Sequence, residues 1–241
     1  MKPVSPPPLR LLADVHHAIT SCERCDRLRH YCARVAREKK RAFRDETYWG
    51  RPVPGFGDPD ARVLILGLAP AAHGANRTGR VFTGDGPGGS ADFLMAALMA
   101  NGFANQPTSR HRDDGLRLSD AYIAAAVRCA PPDNKPTLEE IARCLDHLEA
   151  EVACLPRVRV VVALGKIAFD AGLHLLKRRG VARPTPRPRF GHEVIVRFEQ
   201  GVPALVGSFH PSRQNTNTGR LTPAMLRSVF RTARQLATSR H

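Results

Sequence analysis

Arg62-Val63-Leu64-Ile65-Leu66-Gly67-Leu68-Ala69-Pro70 is the stretch from which the architecture can be read. Val63 to Leu66 is an unbroken aliphatic run without polar alternation, the pattern of a strand buried on both faces at the centre of a parallel sheet. Gly67 and Pro70 end it, one by loosening the backbone and the other by removing a ladder donor. Residues 122–127 and 158–164 repeat the pattern, and shorter apolar runs at 194–198 and 204–206 predict two further strands. Helical signals fill the gaps. Ser90 is placed to cap a helix that stops at Gly102, and Thr137 to cap another whose first turn carries Glu139 and Glu140, where the helix dipole favours acids. Residues 166–176 and 221–237 complete the helices. Strands alternating with helices of this length predict an α/β fold, three layers (α/β/α) around a central, mainly parallel sheet. Ligands of such folds collect at the carboxyl ends of the strands. Three of those ends carry unusual residues: Gly67-Leu68-Ala69-Pro70, Arg128-Cys129-Ala130-Pro131-Pro132 and Ser208-Phe209-His210-Pro211-Ser212.

Upstream of this core the chain changes character. Residues 1–10 are Pro-rich, 11–20 read as a short helix ending at Cys22-Glu23-Arg24-Cys25, and 32–44 read as a helix bearing Arg34, Arg37, Lys39, Lys40, Arg41 and Arg44. Residues 49–57 are so rich in Gly and Pro that they read as loop. We read 1–57 as an N-terminal extension and 58–241 as the α/β core, together one domain. Across 241 residues, 42% are hydrophobic, enough for a full core and against wholesale disorder. The 37 Lys and Arg against 22 Asp and Glu leave a net charge of +15, which favours a polyanionic partner, since each phosphate neutralised releases condensed counterions. An Arg-rich genome would give the same excess without any ligand. Apolar runs are strand-length, and the first residues lack a basic segment followed by an apolar core. A cytoplasmic, nucleoid-associated monomer with no membrane partner is expected. In that compartment six cysteines are more readily free or metal-bound than disulfide-paired.

Cys22 and Cys25 are separated by two residues, Cys129 and Cys144 by fourteen, with 103 residues between the pairs. On spacing alone, four thiolates from distant segments suit an iron–sulfur cluster or zinc equally. Cys32 and Cys154 are left over and read as buried structural thiols, although Cys32 is near enough to Cys25 to compete as a ligand.

Taken with the motif Phe82-Thr83-Gly84-Asp85 and the loop His210-Pro211-Ser212-Arg213-Gln214-Asn215-Thr216-Asn217-Thr218-Gly219, the strand ends resemble the uracil-DNA glycosylase superfamily. The likeness runs from Cys22 to about Phe230, and the motifs look like those of family five, the iron–sulfur type B of broad specificity. The resemblance implies a monofunctional enzyme that flips uracil, and other deaminated bases, out of double- or single-stranded DNA and excises it. Phe82 would stack on the flipped base. His210 would donate to the base oxygen on which charge develops. Gly67, Ala69 and Pro70 would supply backbone near the sugar and the attacking water. The best-known branch has an Asp in this motif where the present chain has Ala69, so Asp85 becomes the carboxylate expected to hold water. Asn134 and Asn215 are expected contacts to the base or the DNA backbone. Ala125 stands where a sister branch reads uracil with Asn, which implies looser discrimination. Arg213 and Gln214 occupy the loop that elsewhere carries an apolar wedge. Cys22, Cys25, Cys129 and Cys144 would hold a [4Fe–4S] cluster that ties the extension to the core. Residues 34–44, 177–189 and 227–234 would grip phosphates.

Two other readings fit part of the pattern. A non-catalytic iron–sulfur or zinc protein that binds DNA would share the charge and the cysteines, but leaves the order of Phe82, Asp85 and His210 without a reason. A redox carrier would want a second dithiol, which the sequence lacks.

Overall fold

A computed structural model describes residues 11–182 and 184–239. The Pro-rich start, residues 1–10, lies outside the described residues, as does Arg183 within the basic stretch 177–189. The helices α1 (Leu12–Thr20) and α2 (Asp26–Glu38) come first, followed by the strands β1 (Phe56–Gly57) and β2 (Val63–Gly67). The short α3 (Ala75–Thr78) and α4 (Ser90–Ala100) lead to β3 (Ala121–Ala125), α5 (Leu138–Ala153) and β4 (Val160–Leu164). Then come α6 (Lys166–Arg178), β5 (Ile195–Val196), β6 (Ala204–Ser208), α7 (Arg213–Asn217) and α8 (Pro223–Thr238).

The six strands form one sheet in the order β1-β3-β2-β4-β6-β5. The four inner strands run parallel, with Ile65 opposite Ile123 and Val162, and Val162 opposite Val206. The two edge strands are antiparallel and two residues long. Such short edges offer few open hydrogen-bonding groups to another chain.

Successive strand residues point to opposite faces, which explains why the inner strands are apolar throughout. Ile65, Ile123, Val162 and Val206 join Leu94 and Leu98 of α4 and Leu226, Val229 and Phe230 of α8 in one core. Leu64, Leu66, Tyr122, Ala124 and Val161 join Leu148 and Val152 of α5 and Phe169 and Leu175 of α6 in another. The molecule is therefore a mixed α/β fold with helices on both faces of a six-stranded sheet. Among the described residues no helix is long and apolar enough to cross a membrane.

The N-terminal helices rest on the second of these faces through polar as well as apolar contacts. His16 Nε2 lies 2.7 Å from the Tyr122 hydroxyl, which donates to Glu151 at 3.0 Å, while the buried pair Arg128–Glu151 closes at 2.7 Å. Burial alone would raise the Glu151 carboxyl, but Arg128, His16 and the Gly55 N–H hold it down at about 2. The helix α2 lays Leu28, Cys32 and Val35 inward, with Leu28 and Cys32 in one cluster with Val127 and Ala130.

Four local expectations change. The helix expected over 32–44 begins six residues earlier and stops at Glu38; Lys39 and Lys40 are irregular and Arg41 to Phe43 form a separate single turn of 3-10 helix, so no helical stripe continues to Arg44. Ser90 is the first helical residue; Gly89 holds the cap position and no side-chain cap bond is made there. Phe56 and Gly57, read as loop, pair with Ile123 and Tyr122. The run 194–198 yields only Ile195–Val196 as strand. The capping box at Thr137 and Glu140 is formed as expected.

Candidate active site

A cavity of about 380 Å³ opens at the carboxyl ends of the parallel strands. It brings together Ala69 and Pro70 beyond β2, Ala125 at the end of β3, Asn134, the segment carrying Phe82 and Asp85, and His210 with Ser212 and Arg213 beyond β6. Leu68, Ala71, Ala75 and Val81 make much of its wall apolar. This gathering follows from topology. Parallel strands all release their chains at one edge, so loops far apart in sequence meet there.

Phe82 takes a left-handed backbone conformation (φ 47), which costs a residue with a Cβ of order 1–3 kcal/mol. Its ring lies on Gly67, where an added Cβ would come within 2.8 Å of it. A glycine at the end of β2 is what lets the aromatic face settle into the cavity. The Phe82 and His210 rings stand 5.9 Å apart, centroid to centroid, tilted by 32°.

Asp85 is half-buried, and burial pushes its carboxyl above the usual range. The Ala91 N–H donates to it, and Arg213 and Arg77 pull its pKa back down. Asp85 thus does for α4 what Ser90 does not, offering an acceptor to a free N–H of the first turn. Gly74 leaves it room, since a Cβ there would meet Asp85 Oδ1 at 2.1 Å.

Arg77, which sequence reasoning passed over, ties the loop after β2 to the Phe82–Asp85 segment. Its Nε donates to the His73 carbonyl at 2.9 Å and its Nη2 to the Gly84 carbonyl at 2.7 Å. Its guanidinium lies 3.9 Å from the Phe43 ring centroid and pairs with Glu46. A buried arginine has no composition signal of its own in a chain this basic; only its place, between the motifs, could have marked it. His73 itself receives Tyr48, with the hydroxyl 3.1 Å from Nδ1.

His210 borders the cavity in dense surroundings, and burial pulls its pKa down to about 4, so the imidazole is neutral at neutral pH. Two contacts fix the loop around it. The Phe209 N–H donates to His192 Nδ1 at 3.2 Å, and Asn215 Nδ2 donates to the His210 carbonyl at 2.8 Å. Ser212 caps α7 by accepting from the Asn215 N–H. Asn215, expected to touch base or DNA, therefore spends its amide on shaping the His210 loop and does not line the cavity. Gly67 likewise lies beneath Phe82 instead of at the cavity surface. Asn134 is exposed at the cavity's edge, on a left-handed backbone. Arg213 reaches back so that its Nη2 donates to the Asp85 carbonyl at 3.4 Å.

Cys25 and Cys32 of the α2 segment share one buried apolar cluster with Cys129 and Cys144, and no disulfide joins any of the described cysteines. Cys22 is half-buried beside them, close enough to raise the Cys25 and Cys144 thiols electrostatically. Burial raises Cys25 and Cys144; a hydrogen bond with Cys32, then burial, raises Cys129. An unpaired, sulfur-only donor set in apolar surroundings fits the chemistry of thiolate-bound clusters. Among the described residues no three Cys, His, Asp or Glu side chains gather closely enough to clasp a single metal ion. Cys32, read as a buried structural thiol, is fully buried against Cys129; Cys154 is half-buried at the C-cap of α5.

Comparison with known proteins adds an independent line. The family model described as Uracil DNA glycosylase superfamily matches residues 54–234. The chain is 50% identical over 219 residues to the Type-5 uracil-DNA glycosylase of Thermus thermophilus, covering 91% of this chain and 95% of that protein. It is 49% identical over 227 residues to the protein of the same name from Mycobacterium bovis, covering 94% and 82%. The Type-4 uracil-DNA glycosylase of Pyrobaculum aerophilum is 30% identical over 169 residues, 70% of this chain and 67% of that protein.

Proposed function

This chain belongs to the uracil DNA glycosylase superfamily, and on that premise we propose that it hydrolyses the N-glycosyl bond of uracil in DNA, as a monofunctional enzyme of base-excision repair that leaves an abasic site. One observation carries the reading: Phe82, Asp85 and His210, up to 128 residues apart in the chain, border one cavity at the carboxyl edge of the sheet.

A base inside a duplex is out of reach, so the nucleotide turns out of the stack and the base enters the cavity. Phe82 offers it a planar face. The neutral His210 imidazole donates an N–H to the base oxygen that gains negative charge as the bond to C1′ breaks. The sugar becomes oxocarbenium-like, and Asp85, steadied by Ala91 and Arg213, holds the water that adds to it. With Ala125 and not an amide at the end of β3, no strand group is left unpaired by a base other than uracil. The same pocket therefore takes other deaminated bases. Arg213 and Gln214 fill the gap left in the stack.

Cys22, Cys25, Cys129 and Cys144 would hold one [4Fe–4S] cluster. Such a cluster supplies a cross-link between extension and core, closing a long loop of chain. The test of function is incubation of the protein with a uracil-containing oligonucleotide, single- or double-stranded, followed by alkali. Breakage only after alkali is expected; no breakage, or breakage before alkali, would defeat the proposal.

A further inference from the structure

Apart from Arg29, which pairs with Glu23, the basic residues of α2 form a single stripe. Arg27, His30, Arg34 and Arg37 recur at three- and four-residue intervals, opposite the buried Leu28, Cys32 and Val35. With Tyr31, Ala33 and Pro132 they line an open groove of about 530 Å³. Arg27 is committed to Glu140, with its Nη2 2.7 Å from the carboxylate. Among the described residues Arg34 and Arg37 have no carboxylate within ion-pair distance, and both are exposed; Arg34 lies 5.5 Å from the Tyr31 ring centroid.

Two contacts set this stripe beside the active site. At one flank, Pro132 of the groove belongs to the short turn Pro132–Asn134, and Asn134 lines the candidate base cavity. Just beyond α2, the Lys40 N–H donates to the Tyr48 hydroxyl, itself 3.1 Å from Nδ1 of His73 in the loop after β2. A groove with unpaired guanidinium groups therefore runs to the rim of the cavity.

We infer that this groove seats the phosphodiester backbone of the substrate strand next to the flipped nucleotide, with Arg34 and Arg37 each neutralising a phosphate. The inference rests on the glycosylase reading above and adds a path for the strand. Guanidinium is suited to the task, being permanently charged and forked toward phosphate oxygens. The charge serves binding and register, while the chemistry stays with the cavity.

The experiment compares the full-length protein with two charge-matched variants, R34Q/R37Q in the groove and R157Q/R159Q. Arg157 and Arg159 are exposed beside the amino end of β4, at the edge of the sheet away from the cavity. Equilibrium binding to a lesion-free duplex is measured across a salt series, and single-turnover cleavage of uracil duplex is measured at saturating enzyme. In the groove variant the slope of log K against log salt should become shallower by about 1.8, or about 0.9 for each phosphate no longer neutralised. The R157Q/R159Q slope should not move. An unchanged slope in R34Q/R37Q, or equal flattening in both variants, overturns the inference, the second by showing that only net charge matters. Unsubstituted protein that binds duplex but never cleaves uracil would instead count against the proposed activity, with the slopes still deciding the groove.

Discussion

Gly74→Ala should disable the enzyme by moving a carboxylate that the substitution does not touch. A Cβ at this position would stand 2.1 Å from Asp85 Oδ1, whereas ordinary contact begins at 3.4 Å. The carboxylate must therefore retreat by about 1.3 Å. The next neighbours, Ala71 Cβ and the Thr83 carbonyl, both at 3.2 Å, require only small adjustments. A misplacement of about 1 Å in a reacting group can cost on the order of 10²-fold in rate, or roughly 2.7 kcal/mol in the barrier. The assay is single-turnover excision of uracil by Gly74→Ala, Asp85→Ala and the double variant, with DNA affinity and thermal midpoint recorded for each. If the alanine acts through Asp85, the double variant should be no slower than Asp85→Ala, since a group already removed cannot be displaced again. A double variant about 10² slower than Asp85→Ala would show that Gly74 serves the loop for another reason. A Gly74→Ala enzyme within about tenfold of the parent would refute the premise that the position of Asp85 limits the rate.

Other outcomes follow from the same geometry. With an oxocarbenium-like sugar, His210→Ala should lose about 10³ in rate and Asp85→Ala about 10², and the reverse order in single-turnover cleavage would assign the larger role to water. The pH–rate profile should show an acid limb set above the ordinary Asp value of 3.8, because burial raises the Asp85 carboxyl and only its ionised form accepts a proton; a limb that persists in Asp85→Asn would belong to another group. Arg128→Met should cost about 3–5 kcal/mol in urea unfolding by stranding the buried Glu151 carboxylate, and replacing both partners with apolar residues should recover much of it. His147 is buried and held neutral down to about 4, while its unfolded form takes up a proton near 6.5, so stability should fall as pH drops through that window. His147→Phe should flatten this slope, and an unchanged slope would show that other groups set it. Purified protein should be brown, with broad absorbance at roughly 400 nm; colourless protein carrying one equivalent of zinc would replace the iron–sulfur proposal.

Much of the architecture was legible because burial on two faces leaves a direct trace in sequence. The runs around Val63, Tyr122 and Val160 are apolar at every position, since alternate side chains feed the cores on opposite faces of the sheet. The capping box at Thr137 was equally plain, as its bonds join residues three apart. The boundaries at β1 and β5 were not, because a two-residue edge strand exists only through its partner.

The site divides along the same line. Resemblance of the strand-end motifs to a known superfamily was enough to nominate Phe82, Asp85 and His210 and to group four cysteines. It could not show that Asn215 turns its amide onto the His210 carbonyl, that Asp85 serves the first turn of α4 in place of Ser90, or that Arg77 joins the His73 and Gly84 loops. Nor could it separate Arg27, already paired with Glu140, from Arg34 and Arg37 on the same stripe. Periodicity and residue type report how each segment meets solvent, and that requirement is local. Which partner a polar side chain takes depends on where loops distant in sequence are brought together, and only the packed sheet with its helices decides that.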